Sequence, residues 1–169
     1  MAGRRAVLAG LLASAAFPGS SWAEAGNPGY LAAAKRPSGA YALHGLNARG
    51  ESVFDVPMPG RGHAAAAHPE RPLSVVFARR PGTFALVVEC VTGKTIAQLS
   101  TPEGQHFSGH GAFSKDGQWL FTAENDYEAA RGMIGIWQVG QRIVRTGAFH
   151  SGGVGPHEIC RMPGRDILV

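Results

Sequence analysis

The feature that most constrains the fold of this chain is an internal repeat. A histidine preceded by glycine or proline recurs at His63, His110 and His157, with spacings of 110 − 63 = 47 and 157 − 110 = 47 residues. A short run, a turn and an apolar stretch follow each histidine. Repeats of about 40 to 50 residues that lack the 3.6-residue helical period are typical of β-propellers, in which one repeat forms one four-stranded blade. The spacing therefore predicts an all-β fold of four-stranded blades.

Alternating apolar runs on both sides of tight turns locate the blades. Alternation with a period of two predicts antiparallel strands, and an Asp-Gly pair between two such runs predicts a hairpin turn. Complete blades are expected from about residue 63 to 99 and from about residue 110 to 149, and a further blade begins at His157. Trp119 and Trp137, at alternating strand positions, are interpreted as core between blades. In the first complete blade, strands are predicted near residues 64–67, 73–78, 84–90 and 95–99.

The remaining segments are expected to be incomplete repeats. Residues 24–40, rich in glycine and proline, are interpreted as an irregular lead-in, and the runs at 41–46 and 52–56 as the third and fourth strands of a blade. Because a propeller has at least four blades and closes its ring, residues 24–169 are expected to be the N-terminal part of a single propeller domain. The intact protein is expected to have seven blades and roughly 330 to 360 residues.

The first 23 residues have the features of an export signal. Arg4 and Arg5 precede an apolar stretch at residues 6–17, and Ser21-Trp22-Ala23 is a small-x-small cleavage site before Glu24. The paired arginines resemble a twin-arginine signal, and an ordinary secretory signal is the alternative. Both predict a periplasmic protein. The apolar stretch is shorter than the roughly 20 residues of a membrane helix, so no stable membrane span is expected after cleavage.

The net charge argues against a nucleic-acid partner, and the positions of the two cysteines argue against a disulfide. The chain carries a net charge of +4, and removal of the two signal arginines leaves 4 − 2 = +2, with no stacking aromatics among the remaining basic residues. A nucleic-acid partner is therefore not expected. Cys90 and Cys160 fall on strands that are predicted to lie far apart, so we expect no disulfide and interpret both as small buried hydrophobic side chains.

Several motifs resemble those of a known family. They are Gly109-His110-Gly111, Glu124-Asn125-Asp126-Tyr127 and Gly155-Pro156-His157-Glu158, with Gly132-x-Ile134-Gly135-Ile136-Trp137 between them. Together they resemble the bacterial exported proteins of the domain of unknown function 1513 family, over essentially all of the mature chain. The resemblance implies a twin-arginine-exported, propeller-like periplasmic protein without an assigned activity. It also implies partners in iron acquisition, namely imelysin-like and di-haem oxidoreductase proteins.

The repeated histidines are the main candidates for a functional site. Equivalent positions of successive blades lie in a ring around the propeller axis, so His63, His110 and His157 are expected to be neighbours. Imidazoles that meet there can bind a transition metal or haem iron. The alternative is structural, because a Gly-His pair before the first strand of a WD-repeat blade forms hydrogen bonds within its own blade.

A second candidate is the acidic stretch at residues 124–128, interpreted as a loop. Glu124 and Asp126 offer the oxygen ligands that calcium and other hard cations prefer. The spacing does not match the EF-hand pattern, and a polar turn between two strands is the alternative.

Three hypotheses of function follow. The first is an exported binding or scaffold protein in periplasmic iron, haem or other metal handling. The second is an enzyme, either a metal-dependent, lactonase-like hydrolase or a cofactor-bearing redox protein. The third is a structural propeller for protein interaction. Propellers serve all three purposes, so the fold alone does not decide whether the protein is an enzyme.

Overall fold

A computed structural model describes residues 20–79, 83–165 and 167–169. Over these residues the chain forms β-strands and no helix, which confirms the all-β class, and accordingly no helix in this part is long and apolar enough to cross a membrane. The strands are β1 (Tyr30–Lys35), β2 (Tyr41–Leu46), β3 (Ser52–Met58), β4 (Gly62–Ala67), β5 (Leu73–Ala78), β6 (Ala85–Glu89), β7 (Lys94–Leu99), β8 (Gln105–Phe113), β9 (Trp119–Asp126), β10 (Arg131–Val139) and β11 (Ile143–His150).

The described strands form three antiparallel sheets in which each strand pairs with its neighbours in sequence. The first sheet has the order β1-β2-β3, the second β4-β5-β6-β7 and the third β8-β9-β10-β11. The second and third sheets coincide with the two complete four-stranded units predicted from the sequence, so these predictions are confirmed. The first strands of the three sheets are neighbours in space, with β4 in contact with both β1 and β8.

The prediction for residues 24–40 was wrong, because β1 lies within them. Strand β1 pairs with β2 along its whole length, from Tyr30 opposite Leu46 to Lys35 opposite Tyr41. The hairpin β2-β3 is therefore the outer part of a three-stranded sheet that begins at β1. The sequence of β1 is rich in alanine and does not alternate, so its strand conformation comes from pairing and packing rather than from intrinsic propensity.

The second sheet is covered on both faces. Strand β5 is buried along its whole length, and its side chains alternate between two clusters. Val75 and Phe77 pack towards the third sheet, whereas Val76 packs towards the first. Such two-sided burial explains why β5 reads as a continuous apolar run rather than an alternating one. Residues of the first cluster include Val87, Phe107, Phe113, Leu120 and Trp137, and those of the second include Leu43, Val56, Val88 and Cys90.

The tryptophan and cysteine predictions are confirmed in part. Trp137 is buried between the second and third sheets, whereas Trp119 is half-buried and lies outside that cluster. Both cysteines are free thiols, as expected. Cys90 is buried, and burial raises the pKa of its thiol to about 11. Cys160 is exposed, so its interpretation as a buried side chain was wrong; it follows the last sheet and is not sandwiched between two sheets.

Both ends of the described chain pack on the sheets. The backbone N–H of Met162 donates to Ile167 O over 2.9 Å, and Arg161 forms an isolated antiparallel β-bridge with Leu168. These contacts confirm the predicted turn at Pro163-Gly164. Residues 1–19 of the predicted export signal lie outside the described residues. Trp22, from the predicted cleavage site, packs on the core of the first and second sheets, and its indole N–H donates to His68 O over 2.9 Å.

The Asp116-Gly117 turn of the third sheet rests on His68 of the second. His68 is buried, and its Nδ1 accepts from the backbone N–H groups of Glu70 and Arg71 over 3.1 and 3.0 Å. Gly117 has φ of +70°, and a Cβ added there would lie 2.3 Å from His68 Nε2. The turn therefore needs glycine both for its conformation and for this close approach.

We predict that Gly117→Ala lowers the free energy of unfolding more than Gly50→Ala does. Gly50 has φ of +80° and no neighbour within 4 Å, so its substitution carries only the backbone strain of about 1 to 2 kcal/mol. Overpacking against His68 adds about 1 to 3 kcal/mol at Gly117. Urea denaturation of both variants measures the difference. Equal losses would mean that the second and third sheets are not in this close contact.

We also predict that His68 makes the fold sensitive to acid. Burial, and then the charge of Arg71, lower the pKa of His68 below its ordinary value of 6.5, although the Gly117 backbone and Glu70 act in the opposite direction. As the pH falls below 6.5 the unfolded chain takes up a proton that the folded chain does not. The free energy of unfolding then drops, with a limiting slope of about 1.4 kcal/mol per pH unit for one group.

Urea denaturation at pH 7.5, 6.5 and 5.5 tests this prediction. The expected result for His68→Gln is a lower stability at pH 7.5 and a smaller decline towards pH 5.5 than in the wild type. An identical decline in the two proteins would assign the acid sensitivity to other groups.

Candidate metal centre

The three repeated histidines lie together. One ligand atom from each of His63, His110 and His157 lies within 4.8 Å of the other two. His63 Nε2 and His110 Nε2 are 3.1 Å apart, and the ring centroids of His110 and His157 are 5.1 Å apart. Each histidine comes from a different part of the fold: β4 of the second sheet, β8 of the third sheet, and the segment that follows β11. When the histidines, cysteines and carboxylates of the described residues are compared, these three histidines form the group whose ligand atoms are close enough to share a metal ion.

Two β-bulges place His63 and His110 at corresponding points of their sheets. The register of β4 against β5 shifts between Gly62 and Ala65, and the register of β8 against β9 shifts between Phe107 and Gly111. A bulge releases residues from regular pairing and re-aims their side chains, which is why bulges are frequent beside binding sites. Both histidines thus leave the ladder at the same point of the repeat.

Gly109 allows the two bulged segments to meet. Its φ is +105°, and a Cβ there would lie 2.5 Å from His63 Cδ2. A larger residue at this position would therefore separate the His63 ring from β8. The Gly-His pair of the third sheet holds the histidine of the second sheet as well as presenting its own.

A hydrogen-bond chain fixes the tautomers of the first two histidines. Arg79 Nη1 lies 3.2 Å from His63 Nδ1. Because a guanidinium only donates, His63 Nδ1 accepts and His63 Nε2 carries the proton in the neutral ring. That proton points to His110 Nε2, which accepts it over 3.1 Å. The His63–His110 contact crosses from the second sheet to the third, whereas the Arg79–His63 contact stays within the second sheet, as the structural alternative expects.

Burial and positive charge favour the neutral form of these rings. Burial is the largest cause that lowers the pKa of His63, followed by the charges of His110, Arg79, His157 and Arg61. Burial also lowers the pKa of His110, while Glu158 opposes the shift and His157 adds to it. Neutral imidazole is the form that binds metals, and burial and charge hold both rings in that form, with the proton of His63 on Nε2.

A glycine-rich loop carries His157 to the other two histidines. The buried Asn125 side chain accepts from the backbone N–H of Gly155 over 2.8 Å, and Gly132 N–H donates to Gly153 O over 2.8 Å. Ile159, two residues after His157, is buried against Ala123 and Ile134. The role of Asn125 is not predicted by the sequence pattern, although its place in the motif Glu124-Asn125-Asp126 is a signal that could have indicated it.

The acidic candidates Glu124 and Asp126 are not part of the histidine cluster. The predicted loop begins only after Asp126, because Glu124 and Asp126 both lie in β9. Glu124 is completely buried, and its two oxygens accept from Arg145 over 2.7 and 2.9 Å. Asp126 accepts from the backbone N–H of Ala129, and forms an ion pair with Arg131 at 3.4 Å. Neither carboxylate belongs to the group of metal-ligand candidates found among the described residues.

Comparison with known proteins places the chain in a family. Residues 56–169, more than half of the chain, match the family described as "Protein of unknown function (DUF1513)". The chain belongs to this family. The match begins at Val56 and includes all three histidines of the candidate site.

The DUF1513 chain is also similar to a solved structure, that of a protein of unknown function from Bacteroides caccae. The two chains are 14% identical with a TM-score of 0.50, and the similarity covers 79% of this chain and 47% of the other, so this chain spans less than half of its length. The likeness concerns the fold alone. No curated protein matches the chain.

In the histidine cluster of this DUF1513 protein, two of the three rings have nitrogens at the separation of two ligands of one transition metal ion, and the ligand atoms of the whole group lie within 4.8 Å of one another. Tetrahedral coordination with Zn–N distances of about 2.0 Å puts two ligating nitrogens about 3.3 Å apart. The 3.1 Å between His63 Nε2 and His110 Nε2 is close to that separation. The same two nitrogens are too close for a porphyrin plane to lie between them, so haem ligation from both sides does not fit. Three imidazoles leave one tetrahedral position for water or another ligand.

We predict that the Glu124–Arg145 pair is structural and contributes strongly to stability. Arg145 also lies over the Trp137 ring at 5.3 Å, and Thr122 Oγ1 links Trp137 to Glu124. Arg145→Met leaves a buried carboxylate without its cation and should lower the free energy of unfolding by about 3 to 5 kcal/mol. Thermal and urea denaturation measure this loss.

The matched control is Arg131→Met, which breaks the more exposed ion pair with Asp126 in the same sheet. Its expected effect is below about 1 kcal/mol. The double variant Glu124→Gln/Arg145→Met should be more stable than Arg145→Met alone, because it removes the unpaired charge. If Arg145→Met lowers the free energy of unfolding no more than the control does, the Glu124–Arg145 pair does not contribute strongly to stability.

Proposed function

We propose that this protein is an exported β-propeller that binds a transition metal ion through His63, His110 and His157. The observation that carries the proposal is that one ligand atom from each histidine lies within 4.8 Å of the other two. The rings come from three successive repeats, and such convergence of equivalent positions suits a ligand held on a common axis. In this proposal the protein serves as a binding or scaffold component of periplasmic iron or other metal handling.

Export and partners belong to the same proposal and rest on the sequence. The paired arginines Arg4 and Arg5, the apolar stretch and the small-x-small site support export by the twin-arginine route. The radial propeller arrangement is supported by the contacts of β4 with β1 and β8, which line up the first strands of the three sheets. Imelysin-like and di-haem oxidoreductase proteins are the proposed partners, through the family resemblance.

A metal-dependent hydrolase is the second candidate function. The three imidazoles leave a coordination position at which a metal could activate water. A groove of about 330 Å³, lined in part by His110, Glu158 and Cys160, adjoins the histidines and offers room for a substrate. Hydrolysis of ester or lactone substrates by the metal-loaded protein, absent in His157→Ala, would favour this function over binding alone.

We predict that the protein binds one equivalent of Co²⁺ or Zn²⁺ at the histidines. Titration of metal-free protein with Co²⁺, followed by its visible absorption and by competition with Zn²⁺, measures stoichiometry and affinity. Loss of one ligand in His110→Ala should weaken binding by at least about 100-fold, since even changes outside the ligands cost 10- to 100-fold. His157→Ala should behave in the same way.

Two features of the design separate binding from folding. His157 is exposed, so its truncation should leave the thermal denaturation midpoint almost unchanged even if His110→Ala unfolds. His106→Ala, four residues before His110 in the same strand, is the matched control and should bind Co²⁺ as the wild type does. Absence of binding in the wild type, or equal binding in His157→Ala and the control, contradicts the proposal.

A further inference from the structure

A basic cleft adjoins the histidine cluster. It has a volume of about 600 Å³ and lies where β1, β2, β4 and the end of β5 meet. Its charged lining residues are Lys35, Arg61 and Arg79, and His63 and Tyr41 also line it. All three cations are exposed at their side chains, and among the described lining residues there is no aspartate or glutamate. The size is that of a ligand pocket rather than of a packing defect.

The cleft and the histidines share one side chain. Arg79 lines the cleft and also donates from Nη1 to His63 Nδ1 over 3.2 Å. Its backbone N–H donates to Arg61 O over 2.7 Å, which ties the two arginines together at the rim. A change in the position of the Arg79 guanidinium therefore alters both the cleft and the hydrogen bond to His63.

Arg79 opposes metal binding by His63. If His63 Nε2 is to bind a metal, the ring proton must sit on Nδ1, where it would face the N–H of Arg79. Two donors cannot share that contact, so Arg79 has to leave His63 when metal binds. The fixed positive charges of Arg61 and Arg79 also repel a bare cation beside His63.

From this geometry we propose that the cleft binds an oxyanion with two or more negative charges, and that this anion and the metal ion bind together. Arginine forks pair with carboxylate or phosphate oxygens through two parallel hydrogen bonds. An anion in the cleft draws Arg79 away from His63, frees Nδ1 to carry the proton, and cancels the positive charge. Because His63 lines the cleft and Arg79 contacts it, the anion would lie beside the metal ligands, and one of its oxygens would supply the fourth ligand. The ligand class is thus a metal–polycarboxylate or metal–phosphate complex, an inference that rests on the proposed function for its metal half.

The anion half can be tested on metal-free protein. Isothermal titration calorimetry with malonate and with inorganic phosphate, at constant ionic strength, should show one dianion bound per chain. Arg61→Ala/Arg79→Ala should lose this binding, whereas the control Arg142→Ala, a single arginine-to-alanine change in the β10–β11 turn, should retain it. The tighter of the two probes identifies carboxylate or phosphate as the preferred oxyanion. Failure of both probes to bind, or equal binding by the double variant, overturns the proposal.

The coupling is tested by Co²⁺ titration with and without saturating dianion, with each affinity expressed against the concentration of free Co²⁺. The expected result is a gain in Co²⁺ affinity of about 5- to 150-fold with dianion, and by linkage the same gain in dianion affinity with Co²⁺. In Arg79→Ala the gain should shrink, and the Co²⁺ affinity without dianion should exceed that of the wild type. Co²⁺ binding that is indifferent to both dianions overturns the coupling. Absence of Co²⁺ binding under all conditions contradicts the proposed function and the coupling, while the metal-free titration still decides on the cleft.

Nuclear magnetic resonance provides a readout that charge alone would not change. The ¹⁵N shifts of His63 report which ring nitrogen carries the proton. In the free protein the proton should be on Nε2, and addition of malonate should move it towards Nδ1. A tautomer that does not respond to bound malonate contradicts the role given to Arg79.

Discussion

Burial of the second sheet on both faces is the constraint on which the rest of the structure depends. A single four-stranded sheet exposes two apolar faces, and β5 has buried side chains on each of them. The first sheet covers one face and the third covers the other, so neither of these can be removed without exposing the centre. This packing brings together β1, β4 and β8, the first strands of the three sheets, and with them His63 and His110. The candidate site is therefore a product of core packing between repeats.

The repeat could be predicted from the sequence because three independent patterns recur with the same period. The 47-residue spacing, the turns and the apolar runs all agree for β4 to β11, and the structure has the strands at those positions. Strand β1 was not readable, since alanines at residues 32–34 carry neither alternation nor strand propensity. Its conformation depends on β2, which lies beside it only in the folded chain. Local pattern and tertiary pairing thus contribute in different measure to different strands.

The candidate site shows the same division. The periodicity was enough to bring His63, His110 and His157 together as candidates, because equivalent positions of stacked repeats are neighbours. The sequence could not reveal that Glu124 is neutralised by Arg145, a residue 21 positions later on a different strand. Nor could it reveal that Arg79 reaches His63, since that contact depends on the bulge in β4. A charged side chain can be assigned a role only when its partner is known, and the fold determines which partner lies beside it.

The three sheets are separate hydrogen-bonded units, joined by side-chain packing and a few polar contacts. His63 and His110 belong to two of these units, and His157 belongs to the segment that leaves the third. A metal ion held by all three would act as a cross-link between repeats that share no backbone ladder. Occupancy would then depend on the spacing of neighbouring repeats. The centre would serve as a mechanical coupling as much as a place of binding.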